Sequence, residues 1–181
     1  MSQFRVSLKY SFIHYLRAFI QSYRLGKLGK KVFIDKRVEL MRFPENIFID
    51  DDVVLKEGLK ICSCNKDAII KIGKGTTLGY YSFIFASNRI EIGEDCLIAS
   101  FVYIVDSNHQ VSRSLKINEQ PNETAPIKIG NDVWIASNVT ILKAVIISDG
   151  AVIAANSVVN CDIPAYEIWG GSPAKKIGER N

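Results

Sequence analysis

At 181 residues, 48% of them hydrophobic and 23% charged, the chain has the size and balance of one ordinary globular domain. No run approaches the ~18 consecutive apolar residues of a membrane-spanning helix. The opening MSQFRVSLKYSFIHYLRAFI is broken by Arg5, Lys9, His14 and Arg17 and lacks a small-residue cleavage site, so it reads as no secretory leader and the chain is expected in the cytoplasm. The net charge of +4 is local: seven Lys and Arg fall in residues 1–31 before the first acid at Asp35, and without them 16 basic residues face 19 acidic ones. The body is therefore slightly acidic, and nucleic acid is not an expected partner.

The first predicted element is an amphipathic helix over residues 9–25, where Phe12, Ile13, Leu16, Phe19, Ile20 and Tyr23 recur at spacings of three and four until Gly26 ends it. Its polar face is basic. The apolar stripe is expected to pack on the main body or on a neighbouring subunit. Peripheral contact of residues 1–31 with a membrane surface is a second use of such a helix, compatible with the first.

From about Val32 the dominant signal is a repeat of six residues. Ile129, Ile135, Ile141, Ile147, Ile153 and Val159 follow one another at that interval, and four residues after each stand Val133, Val139, Val145, Ala151, Ser157 and Ile163. The first half reads Ile72, Leu78, Ile84, then restarts two residues late as Ile92, Ile98, Ile104, with a weaker start at Ile49 and Leu55. Six suits neither a helix nor a plain strand, but it suits a short strand plus a corner, stacked as the flat faces of a coil. The corners carry residues that tolerate positive φ: Gly73-Lys74-Gly75, Gly93-Glu94-Asp95, Gly130-Asn131-Asp132, Ser137-Asn138 and Asp149-Gly150. The expected organisation is a helical arm over 1–31, a β-helix over 32–164 and a C-terminal cap over 165–181.

One segment breaks the repeat. Between Ile104 and Ile129 the hexads lapse, predicting a loop over 106–126 extruded from one coil, and a loop this long in a compact repeat is commonly functional or disordered. It opens with His109, the single histidine of the main body. An imidazole, with an ordinary pKa near 6.5, can take a proton from an alcohol and return it to a leaving group at neutral pH. Asp106 is a candidate to orient that ring, or else an ordinary turn aspartate. With two histidines in all, His14 and His109, no site built on three imidazoles can form within a subunit, and no metal is expected. Cys62, Cys64, Cys96 and Cys161 have neither disulfide-scaffold nor CxxC spacing and read as buried thiols.

The stretch IGNDVWIASNVTILKAVIISDGAVIAANSVVNCDIPAYEIWGGSPAKKI resembles the hexapeptide-repeat acyltransferases, whose tail runs IG-x-x-VWIG, aliphatic hexads, DIP and G-x-PAK-x-I. The likeness covers about residues 32–178, and with VDSNHQ before the long loop it most resembles the maltose, galactoside and polysaccharide O-acetyltransferase branch. The resemblance implies an all-β fold, a left-handed parallel β-helix of triangular section, in a homotrimer with sites between subunits. It implies acetyl transfer from acetyl-CoA to an alcohol, with His109 as base.

It further implies that Trp134 shields the pantetheine arm, that backbone groups of Ala136 and Ser137 bond its amides, and that Ala154 and Ala155 let it lie close. Lys175 and Lys176 of GGSPAKKI would answer the CoA phosphates. Where these enzymes commonly carry Thr-Lys, this chain has Asn160-Cys161, so one basic contact is missing. The acceptor-side asparagine falls on Ser82 or Asn88, with the register open between them, and Asn108 stands beside His109. An N-acyltransferase of a nucleotide-linked amino sugar shares this scaffold and base. A non-catalytic β-helix scaffold would need neither His109, the loop nor the tail.

Overall fold

The computed structural model describes residues 8–181. Arg5 and the other residues before Leu8, part of the predicted basic arm, lie outside them. The chain winds into a parallel β-helix with three flat faces. The first face stacks strands Lys27–Leu28, Ile47–Ile49, Ile69–Ile72, Arg89–Ile92, Ile127–Ile129 and Ile146–Ile147. The second carries Phe33–Ile34, Val54–Leu55, Thr77–Leu78, Leu97–Ile98, Trp134–Ile135 and Val152–Ile153, and the third Glu39–Arg42, Lys60–Ser63, Phe83–Ala86, Tyr103–Val105, Thr140–Ile141 and Val158–Val159. Neighbours on each face pair in parallel and in strict register, as in Leu97 with Trp134 and Trp134 with Val152.

The inward aliphatics predicted from the hexads are buried from Ile49 to Val159, as are their partners Thr76, Cys96, Val133, Val139, Val145, Ala151 and Ser157. Each coil offers its apolar edge to the next, so stacking supplies the core. The predicted corners carry the left-handed residues: φ is positive at Gly75, Asp95, Asp132, Asn138 and Gly150. Gly93 serves a second need, because a Cβ there would sit 2.4 Å from the Gly130 carbonyl oxygen of the next coil. Asn88 and Asn108 depart from the hexad pattern by standing exposed. Both lie where the third face turns back to the first, and the two residues by which the repeat restarts late are absorbed at the Ala86 to Arg89 corner.

The C-terminal segment caps the stack. Glu167–Gly170 adds a parallel strand beside Val152–Ile153 and then pairs antiparallel with Lys175–Glu179. At the other end the helix α1 spans Phe12–Ser22, shorter than predicted at both ends. Ser11 caps it, its N–H donating to His14 Nδ1 at 3.0 Å. Gly26 lies beyond the helix, where a Cβ would stand 2.3 Å from the Glu45 carbonyl oxygen.

Of the two partners expected for the apolar stripe, the body of the same chain is not the one it meets. The half-buried residues of the helix are His14, Arg17, Ala18 and Gln21, with the His14 ring stacked 4.3 Å from that of Phe33. The apolar stripe, expected to pack on the main body or on a neighbouring subunit, faces away from the body. On the inward face the small side chain of Ala18 packs against the core beside Leu28.

Candidate active site

The segment after Val105 folds as an antiparallel hairpin, with Ser107–His109 paired to Asn122–Thr124 so that His109 stands opposite Asn122. Gln120, buried at its tip, receives the Ser112 N–H at 2.8 Å and donates to the Ser112 and Leu115 carbonyls. The excursion is therefore an ordered element. Its root is held by Asp106, which is completely buried and accepts the backbone N–H groups of Ser87 at 2.6 Å and Asn88 at 2.8 Å.

Of the two readings considered for Asp106, these contacts support the structural one. Its carboxylate is committed to the preceding coil, because the wide corner there leaves two backbone donors in need of an acceptor. Burial raises its carboxyl above the ordinary value, while the backbone N–H groups pull the other way. His109 has an exposed ring that makes no hydrogen bond within the described residues. It lines a pocket of about 330 Å³ with Tyr103, Ser107, Asn108, Asn122, Val105 and Leu142. Asn108 thus joins His109.

The other two acceptor-side candidates lie outside this pocket and make contacts within the fold. Ser82 is buried, its hydroxyl donating to the Ala99 carbonyl at 3.0 Å and accepting the Val102 N–H at 3.1 Å. Asn88 donates to Thr124 Oγ1 at 3.4 Å, tying the hairpin to the coil beneath it. Tyr103, Asn122 and Leu142 were not foreseen. Tyr103 carries the outward alternation of a strand beside Ile104, a position that signals exposure and no chemistry.

Trp134 lies elsewhere, on the second face, 52% exposed. It borders an apolar pocket of about 570 Å³ formed with Lys56, Thr77, Gly79, Tyr80, Leu97 and Ser100. By the register, Gly79, Ala99, Ala136 and Ala154 stack along the adjoining corner, a column without bulky side chains. The Ala136 N–H is spent on the Ile153 carbonyl and the Ser137 carbonyl on the Asn156 N–H, which leaves the Ala136 carbonyl and the Ser137 N–H to meet a ligand. Ala155 and Asn160 are exposed one coil further on.

The lysine pair divides. Lys175 is exposed and outside any ion pair among the described residues, whereas Lys176 bonds Glu167 at 2.7 Å and Glu179 at 2.5 Å. The Lys176 bond, followed by that from the Trp169 indole, holds the Glu167 carboxyl below its ordinary value. Lys176 therefore secures the C-terminal hairpin. Within one chain His109 and Trp134 line separate pockets on different faces.

A family model described as bacterial transferase hexapeptide, six repeats, matches residues 126–161. The chain is 32% identical over 160 residues to WbbJ of Escherichia coli K12, a protein named for lipopolysaccharide biosynthesis O-acetyl transfer, with 81% of each protein covered. It is also 32% identical over 150 residues to a protein of Mycobacterium tuberculosis H37Rv named as a probable acetyltransferase, covering 82% of this chain but only 50% of that relative's length. A solved structure of galactoside acetyltransferase in complex with coenzyme A matches with a TM-score of 0.72 at 25% identity, over 98% of this chain and 76% of that one. The chain belongs to the hexapeptide-repeat transferases, with their left-handed parallel β-helix, and is an acyltransferase of the O-acetyltransferase branch.

Proposed function

We propose that this acyltransferase moves an acetyl group from acetyl-CoA to a hydroxyl of a sugar or glycan precursor in the cytoplasm, through a ternary complex with His109 as general base. The observation that carries the reading is the surroundings of His109. A free imidazole stands in a pocket with one phenol, one alcohol and two carboxamides, from Tyr103, Ser107, Asn108 and Asn122, a lining suited to a polyhydroxyl acceptor. The acceptor O–H gives its proton to the imidazole while its oxygen attacks the thioester carbonyl. The tetrahedral intermediate then collapses, the C–S bond breaks, and the imidazolium returns the proton to the departing thiolate.

The donor side is read on the Trp134 corner. Trp134 would cover the pantetheine arm, the column of Ala136 and Ala154 would admit it, and the Ser137 N–H and Ala136 carbonyl would bond its amides. Lys175 remains to meet phosphate, and Asn160 offers a neutral contact. That His109 and Trp134 line separate pockets supports a site completed between two copies of a homotrimer.

The test is His109→Ala assayed by thiol release from acetyl-CoA with a panel of sugar alcohols and amino sugars. Turnover should fall about 100-fold or more with acetyl-CoA affinity retained. Undiminished turnover would remove His109 from the chemistry. Transfer confined to amino acceptors would replace the hydroxyl acceptor with an amine.

A further inference from the structure

The helix α1 is built against the usual rule for a surface helix, which turns its apolar stripe inward. Here His14, Arg17, Ala18 and Gln21 meet the β-helix, while Phe12, Ile13, Tyr15, Leu16, Phe19, Ile20 and Tyr23 all stand 44% exposed or more. The orientation is fixed by specific contacts. Besides the His14 stack on Phe33, the Tyr10 hydroxyl donates to the Lys31 carbonyl and Arg24 Nη2 to the Leu40 carbonyl, each at 3.1 Å. An outward ridge of four aromatic and three aliphatic side chains is far more apolar surface than scattered exposed residues leave.

The charge around this ridge selects its partner. The helix holds no acid, and the nearest flanking segments carry Lys9, Lys30 and Lys31, exposed and outside any ion pair among the described residues. Lys31 is held beside the helix start by the Tyr10 bond. Two such ridges brought together would face like charges, whereas phospholipid headgroups with negative charge would answer the lysines while the ridge enters the acyl boundary. No helix among the described residues is long and apolar enough to cross a membrane, so the contact lies in the plane of the interface.

We propose that this face docks on an anionic phospholipid bilayer. The inference is independent of which acceptor is used.

The experiment is co-sedimentation of the full chain with phosphatidylcholine vesicles, with and without about a third phosphatidylglycerol, alongside activity on a soluble acceptor. The wild type should pellet with the anionic vesicles and stay in solution with the neutral ones, releasing as salt rises. Leu16→Ser with Phe19→Ser should lower the partition about tenfold or more with an unchanged melting temperature, because both side chains already face solvent. Lys9→Gln, Lys30→Gln and Lys31→Gln should each lower it about fivefold. No pelleting of the wild type, or equal pelleting of the variants, would overturn the proposal. A Leu16→Ser, Phe19→Ser protein that loses subunits without a change in vesicle binding would overturn it in favour of an interface between copies.

Discussion

Asp106 separates two kinds of importance that a carboxylate beside a candidate catalytic histidine can have. Held by the Ser87 and Asn88 amides, it should matter to the fold and to the hairpin root. Asp106→Ala leaves both buried donors unanswered and should cost about 3 kcal/mol in urea unfolding. Asp106→Asn should lower stability less and leave the pH at which kcat/KM inflects in place, which a ring-orienting partner would not. The raised carboxyl adds a sign. Because the folded chain holds that proton more tightly than the unfolded one, its contribution is present below the ordinary value of 3.8 and lost as pH rises through the folded value. The stability of wild type relative to Asp106→Asn should therefore improve on acidification toward that value, followed by unfolding at a series of pH values. The cysteines give a second residue-scale test: burial pushes the Cys96 thiol up to about 11, while Cys161 is exposed. At neutral pH iodoacetamide should modify Cys161 first and reach Cys96 only in denaturant.

At the scale of the element, the coil corner is the weak point of a stacked fold. Gly73, Gly93 and Gly130 let successive corners approach as bare backbone, and Gly93→Ala would press a methyl against the Gly130 carbonyl and Asn131 Oδ1, 2.4 and 2.6 Å away. The neighbour is backbone and has little room to give. A loss of about 1–3 kcal/mol is expected by calorimetry. The tip of the hairpin is held by Gln120, and Gln120→Ala should loosen it through the Ser112 and Leu115 carbonyls, raising exchange of the tip amides while the β-helix keeps its melting temperature.

Over the whole molecule, His109 and Trp134 line separate pockets, and the proposed function would join them across two copies. If each site takes His109 from one copy and Trp134 from its neighbour, His109→Ala and Trp134→Ala proteins, each weak alone, should complement when unfolded together and reassembled. Random mixing in equal amounts restores about a quarter of the sites in a cyclic trimer. Activity no greater than the sum of the separate variants would place each site within one copy.

How much of this was legible in the residues follows from physical range. The hexads state the β-helix directly, because burial at Ile129, Ile135 and Ile141 and positive φ at Asp132 and Asn138 are local demands that each coil makes of its own sequence. The departure after Ile104, with His109 at its mouth, was legible for the same reason, as a lapse in that grammar, whereas its order as a hairpin was not. The orientation of α1 was not, since periodicity shows that a helix has an apolar face and says nothing of whether the surface it meets can accept it. Ser82 and Asp106 carry polar side chains that suit chemistry equally well as architecture, and only their contacts across coils, 17 to 20 residues away in the chain, assign them to the fold. Sequence alone determined the repeat, its corners and its interruption. Tertiary structure decided which polar groups were already satisfied, and therefore which remained for function.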